Sequence, residues 1–116
     1  MNAIKNPEYY ERLKTRRNEV MMTLAHVHKE QRTMEENKDR IDCAAYESRL
    51  HLLDNLTGWY VDEIARIDEA LIRIAEGTYG ICVGCHEPID ARRLETTTVA
   101  IFCAPCQAMR EELSTA

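Results

Sequence analysis

Four of the five cysteines stand in two pairs, Cys82-Val83-Gly84-Cys85 and Cys103-Ala104-Pro105-Cys106, with 17 residues between them. Few sequence features restrict a fold so tightly. A two-residue gap lets both sulfurs of a pair grip one edge of a tetrahedron, and two such pairs complete it. Zinc is the ion that takes four soft thiolates in that geometry. The spacing predicts one structural zinc ion on Cys82, Cys85, Cys103 and Cys106. Gly84 gives the first turn room to aim backbone amides at the sulfurs. So short a module has little apolar core, and the metal must supply much of its stability.

Rival readings of the cysteines explain less. Cys82 to Cys85 followed by His86 spells a c-type haem attachment, but that chemistry needs export and leaves the second pair unused. Disulfides belong to oxidising compartments. Met1 to Lys14 holds no apolar signal-peptide core, and no stretch approaches the roughly 18 apolar residues of a membrane span. The expectation is a cytoplasmic protein with reduced cysteines and no membrane association. Four cysteines close the zinc shell, so no position is open for a substrate. There is no H-E-x-x-H motif and no glycine-rich phosphate loop, and the chain reads as a non-enzyme. A four-cysteine DNA-binding finger has the same spacing. Yet residues 82–116 carry three Arg and no Lys against five Asp or Glu, and the whole chain has a net charge of −5. Duplex binding needs a basic face, so sequence-specific DNA binding is not expected.

Ahead of the cysteines the pattern is helical. Asn6-Pro7-Glu8 predicts a helix start, with Asn as cap and Pro in the first turn. Steps of three and four then follow through Tyr10, Leu13, Arg17, Val20, Leu24, Val27, Gln31 and Met34. A second run takes in Tyr46, Leu50, Leu53, Thr57, Tyr60, Ile64, Ile67, Leu71 and Ile74, and Glu76-Gly77 supplies a stop. Two such seams predict an antiparallel coiled coil with arms of roughly 38 Å. Pairing Met34 with Tyr46 also aligns Val27 with Leu53, Val20 with Tyr60 and Leu13 with Ile67. In each pair the residue numbers sum to 80, which centres the turn near residue 40; a slip of one heptad would repeat the pattern. The turn is acidic and lacks Gly and Pro. Gly58 costs about 1 kcal/mol inside the second arm and is a candidate bend. Cys43 reads as a small buried or neutral thiol. The fold class expected is mainly α: a coiled-coil hairpin over 1–77 with an acidic tip near 35–44, then a four-cysteine zinc module over 78–116 closed by a short helix from near Pro105.

Together these features resemble the DksA/TraR family of bacterial transcription regulators. At the tip, Asp39-Arg40-Ile41-Asp42-Cys43-Ala44 fits the family's D-x-x-D-x-A signature. Gly80-Ile81-Cys82-Val83-Gly84-Cys85, Arg92-Arg93-Leu94-Glu95 and the second cysteine pair resemble its zinc segments. The resemblance implies a monomer that binds bacterial RNA polymerase directly, without specific promoter contact. The hairpin enters the secondary channel, and the tip residues Asp39, Asp42 and Ala44 approach the active site. Initiation is then modulated, often together with the alarmone (p)ppGpp. Basic residues that line an alarmone site in some members align with Trp59, Arg66 and Gln107, of which only Arg66 is basic here. Two other classes fit the residues alone: a zinc-stabilised coiled-coil adaptor for another protein, and the DNA-binding finger.

Overall fold

A computed structural model describes residues 6–115. The termini at residues 1–5 and 116, including the question of order at 1–5, lie outside the described residues. The chain is mainly α. Helix α1 spans Asn6–Glu36, a 3-10 turn spans Lys38–Arg40, and α2 spans Cys43–Glu76. Short helices α3 (Ala91–Thr96) and α4 (Ala104–Thr115) follow, the latter close to the start expected at Pro105. The one β pairing among the described residues is an isolated bridge between Ile81 and Pro88. Among the described residues, no helix is long and apolar enough to cross a membrane.

The chain forms two compact units. One is Thr15–Ala65; the other joins the start of α1, through Lys14, to everything from Arg66 onward. This division differs from a cut at residue 77, and packing explains it. Leu13, Ile67 and Ala70 on the long helices share one buried cluster with Tyr79, Cys82 and Leu94.

Within Thr15–Ala65, α1 and α2 pair antiparallel. Val27, Met34, Tyr46 and Leu53 form its buried cluster, with Leu50, Leu56 and Tyr60 packed against them. Arg16 pairs with Glu63 and Arg49 with Glu30, and in both pairs the residue numbers sum to 79. The register is therefore the one expected, not a heptad away. Gln31 donates to Asp54 Oδ1 at 3.0 Å and Thr57 Oγ1 at 3.4 Å, a polar interruption of the apolar seam. The turn relies on side chains rather than on Gly or Pro. Asn37 Nδ2 donates to the Thr33 carbonyl at 2.8 Å and satisfies the end of α1. Tyr46 Oη donates to Glu35 Oε2 across the turn at 2.8 Å. α2 runs unbroken through Gly58, and a Cβ there would meet nothing within 4 Å.

In the other unit, the first seam position departs from expectation. Tyr9 is buried (5%) and Tyr10 is exposed (38%). Both lie one helical step from Leu13, so spacing alone does not choose between them. Tyr9 wins because its ring packs on Tyr79, with centroids 5.7 Å apart, and its hydroxyl donates to Glu95 Oε1 at 2.7 Å. α2 ends at the expected stop. Gly77 has φ 78°, its N–H donates to Ile74 O at 3.2 Å, and Thr78 N–H donates to Arg73 O at 2.9 Å. That pairing satisfies the last carbonyls, and glycine adopts the left-handed conformation it requires.

Candidate metal centre and acidic turn

The two cysteine pairs are brought together by backbone hydrogen bonds. Cys82 N–H donates to Glu87 O and His86 N–H donates to Cys82 O, both at 2.9 Å, which folds the first pair into a tight knuckle. His86 accepts φ 64° to close it. Val83 N–H donates to Ile101 O at 2.8 Å, tying that knuckle to the segment before the second pair. Cys103 sits just before α4, where its carbonyl accepts the Gln107 N–H at 2.9 Å, and Cys106 lies in the helix's first turn. The positive end of α4 therefore faces the thiolates.

All four sulfurs lie within 4.8 Å of one another, and Cys85 Sγ is 3.8 Å from Cys103 Sγ. Zinc–sulfur bonds of 2.3 Å in a tetrahedron separate sulfurs by about 3.8 Å. The donor set fits zinc in number, softness and spacing, and these four residues hold one zinc ion. The metal's role is to neutralise and cross-link the sulfurs. Electrostatics favours such an ion. Burial pushes the Cys82 thiol up, but amides of Cys103, Cys85 and Gly84 and the Cys106 thiol more than offset that, taking it down to about 6. Cys106 is pushed up to about 12, because Cys103 and Cys82 crowd it with sulfur. Four clustered thiolates need a cation between them. Gly84 N–H lies 3.3 Å from Cys82 Sγ, and a Cβ on Gly84 would stand 3.1 Å from Cys106 Sγ. Glycine is needed here for space. His86 is outside the sulfur cluster and acts through its backbone.

Sequence reasoning missed Asp90 as a cap within this module, and Tyr9 and Arg12 as residues that bind it to the first long helix. Asp90 caps α3, its Oδ1 accepting the Arg92 N–H at 2.9 Å. Arg93 Nε donates to Phe102 O at 3.0 Å, beside Cys103. Glu95 accepts from Tyr9, and Arg12 Nη2 donates to the Glu95 carbonyl at 3.0 Å. The Asp90 cap was visible in principle, as an acid just before Ala91-Arg92-Arg93-Leu94. The Tyr9 and Arg12 partnerships with Glu95 span more than 80 residues and leave no local signal.

Arg66 is exposed and lines a concave surface with Arg93, Gln107 and Arg110. Two of the three positions aligned with an alarmone site, Arg66 and Gln107, therefore share one surface. Arg110 lies over the Phe102 ring, 4.7 Å from its centroid. Trp59 belongs to the other compact unit, where it is exposed (69%).

In that unit, Asp39, Asp42 and Ala44 are all exposed at the turn. Asp39 lies in the 3-10 turn. Asp42 caps α2, its Oδ2 accepting the Ala45 N–H at 3.1 Å while its carbonyl accepts from Tyr46. Cys43, expected as a small buried or neutral thiol, is exposed rather than buried; its sulfur is 3.8 Å from Glu47 Oε1. Cys43 opens α2 beside the turn, and Tyr46 takes the buried position there.

Residues 77–112 match the prokaryotic dksA/traR C4-type zinc finger. A solved structure of the DnaK suppressor protein of Agrobacterium tumefaciens is 34% identical, with a TM-score of 0.62 over 93% of this chain and 96% of that one. The chain belongs to the DksA/TraR family. Transcription factor DksA2 of Pseudomonas aeruginosa is similar in structure as well, with 28% identity and a TM-score of 0.87 over 96% of this chain and 86% of that one. An RNA polymerase-binding transcription factor DksA of Caulobacter vibrioides is 33% identical over 89 residues, 77% of this chain and 61% of that protein. The chain spans less than two thirds of the length of the curated relatives it matches. Within the DksA/TraR family, then, this chain carries the four-cysteine finger and both long helices.

Proposed function

We propose that this chain is a bacterial transcription regulator that binds RNA polymerase directly and inserts its acidic turn into the enzyme's secondary channel to modulate initiation. It acts in the cytoplasm as a monomer, catalyses no reaction and makes no sequence-specific DNA contact. One observation carries the reading: Asp39, Asp42 and Ala44 stand exposed on the turn, with Asp42 fixed as the cap of α2. A carboxylate held in that way can act on basic loops or metal-ion charges inside a narrow pore, where low dielectric strengthens its field. The Caulobacter relative is an RNA polymerase-binding transcription factor, which supports polymerase as the partner.

Asp42→Asn tests the insertion. Asparagine caps helices as well as aspartate, so folding and polymerase binding stay while the charge is lost. Copurification with core polymerase is expected unchanged, and inhibition of a sensitive ribosomal promoter in vitro is expected to disappear. Equal inhibition by parent and variant would refute the role of the turn. No binding of core polymerase at micromolar concentration would leave the adaptor reading instead.

The alarmone (p)ppGpp belongs to the same proposal as a co-ligand at the polymerase interface, with Arg66 as its contact. The concave surface that Arg66 shares with Gln107 and Arg110 supports this. Arg66→Ala is expected to remove any alarmone-dependent gain in inhibition and to leave alarmone-free inhibition in place.

A further inference from the structure

Cys82 is both a zinc ligand and one of the most buried residues of the chain, with no exposed surface. The cluster it belongs to draws Tyr9 and Leu13 from α1, Ile67 and Ala70 from α2, and Tyr79, Ile89, Leu94 and Ala100 from the module. About half of that core therefore comes from the ends of the long helices. A stretch as short as 78–115 does not fold on its own core; below roughly 40 residues a metal or a cross-link is usually needed. Metal dependence should then extend to whatever shares the core.

We propose that the zinc ion controls the folding of the first turns of α1 and the last turns of α2. Metal loss melts residues 6–14 and 66–77 together with the cysteine module, while 15–65 keeps its own structure. The coupling has a traceable route. Phe102, next to Cys103, holds Arg93 of α3 through its carbonyl, and two residues on, Glu95 holds Tyr9 and Arg12 of α1. On the other side, Arg73 of α2 donates to Ile81 O at 2.9 Å, one residue before Cys82. The cluster of Val27, Met34, Tyr46 and Leu53 contains no metal ligand. Linkage makes the effect reciprocal: whatever weakens these helix ends weakens zinc binding by the same factor.

Two measurements on the full chain test this. Hydrogen exchange before and after treatment with a strong chelator is expected to show protection lost over 6–14, 66–77 and 78–115, and kept over 20–34 and 46–60. Protection kept at the helix ends, or lost along both entire helices, would overturn the proposal. The second measurement is zinc affinity by competition with a chromophoric chelator, for Leu13→Ala and Leu53→Ala. Both leucines are 1% exposed and differ in which cluster they fill. Leu13→Ala is expected to weaken zinc binding roughly 30-fold or more, the affinity equivalent of a typical buried leucine loss. Leu53→Ala is expected to leave it within about twofold, because distant sites are additive. Equal effects from the two variants would sink the coupling. Should Leu13→Ala fail to fold, Tyr9→Phe removes only the Glu95 hydrogen bond and is still expected to weaken zinc binding several-fold; unchanged affinity in it counts against the proposal.

Discussion

Asp42 has two roles in one side chain, and substitutions separate them. Its carboxylate caps α2 and also presents charge at the turn. Asp42→Ala removes both, so it is expected to cost about 1 kcal/mol of stability that Asp42→Asn keeps. Urea unfolding of the two variants measures the difference. An effect on transcription seen with alanine but not asparagine would then be a folding effect. Gly84 is the other residue whose identity the geometry dictates. Its missing Cβ leaves room for Cys106 Sγ, so Gly84→Ala is expected to weaken zinc retention about tenfold or more against a competing chelator. Tyr79 sets an alkaline limit. Burial pushes its hydroxyl up to about 12, from about 10 in an unfolded chain. The native state therefore favours the neutral phenol. This stabilisation is complete below pH 10 and is lost as pH rises towards 12. Tyr79→Phe is expected to flatten that alkaline loss, as read by thermal melts across pH 9 to 12.

At the scale of elements, the long helices follow from their seams and their ends from single residues. Gly58 is the exception, since nothing in the fold uses it. Its Cβ position is open and the helix continues on both sides, so the bend expected there has no structural cause. Gly58→Ala is expected to stabilise the Thr15–Ala65 unit by about 1 kcal/mol, raising its urea midpoint without changing the slope. The heptads made the helices and their register legible because a buried line recurs every seven residues, at Leu13, Val20, Val27 and Met34 and again at Tyr46, Leu53 and Ile67, with the partly buried Tyr60 filling the step between the last two. The turn was harder to read. Its chemistry resides in Asn37 and Asp42, ordinary polar residues whose capping role depends on where each helix stops. The preference for Tyr9 over Tyr10 was not legible at all, because Glu95 and Tyr79 decide it from the far end of the sequence. The cysteine cluster was legible because metal geometry forces the spacing of its ligands whatever surrounds them.

For the molecule as a whole, charge discriminates the remaining class of function. Lys and Arg number 15 against 20 Asp and Glu. Several arginines are already committed: Arg12 to Glu95, Arg16 to Glu63, Arg49 to Glu30, Arg73 to Ile81 O and Arg93 to Phe102 O. Duplex affinity comes mainly from cations that displace condensed counterions, and each such contact steepens the salt dependence. A chain with an acidic surplus, and with five of its fifteen cations tied internally in this way, has fewer to offer. At about 50 mM salt, gel shifts with promoter DNA are therefore expected to show no retardation at micromolar protein, whereas core polymerase is bound under the same conditions. The same surplus predicts that polymerase binding weakens as salt rises, because an acidic surface is drawn to basic protein surfaces through screened charge. A steep, salt-sensitive shift of naked duplex would mean instead that Arg66, Arg92 and Arg110, the exposed arginines around the zinc module, face nucleic acid, and the finger would have to be read as a DNA reader after all.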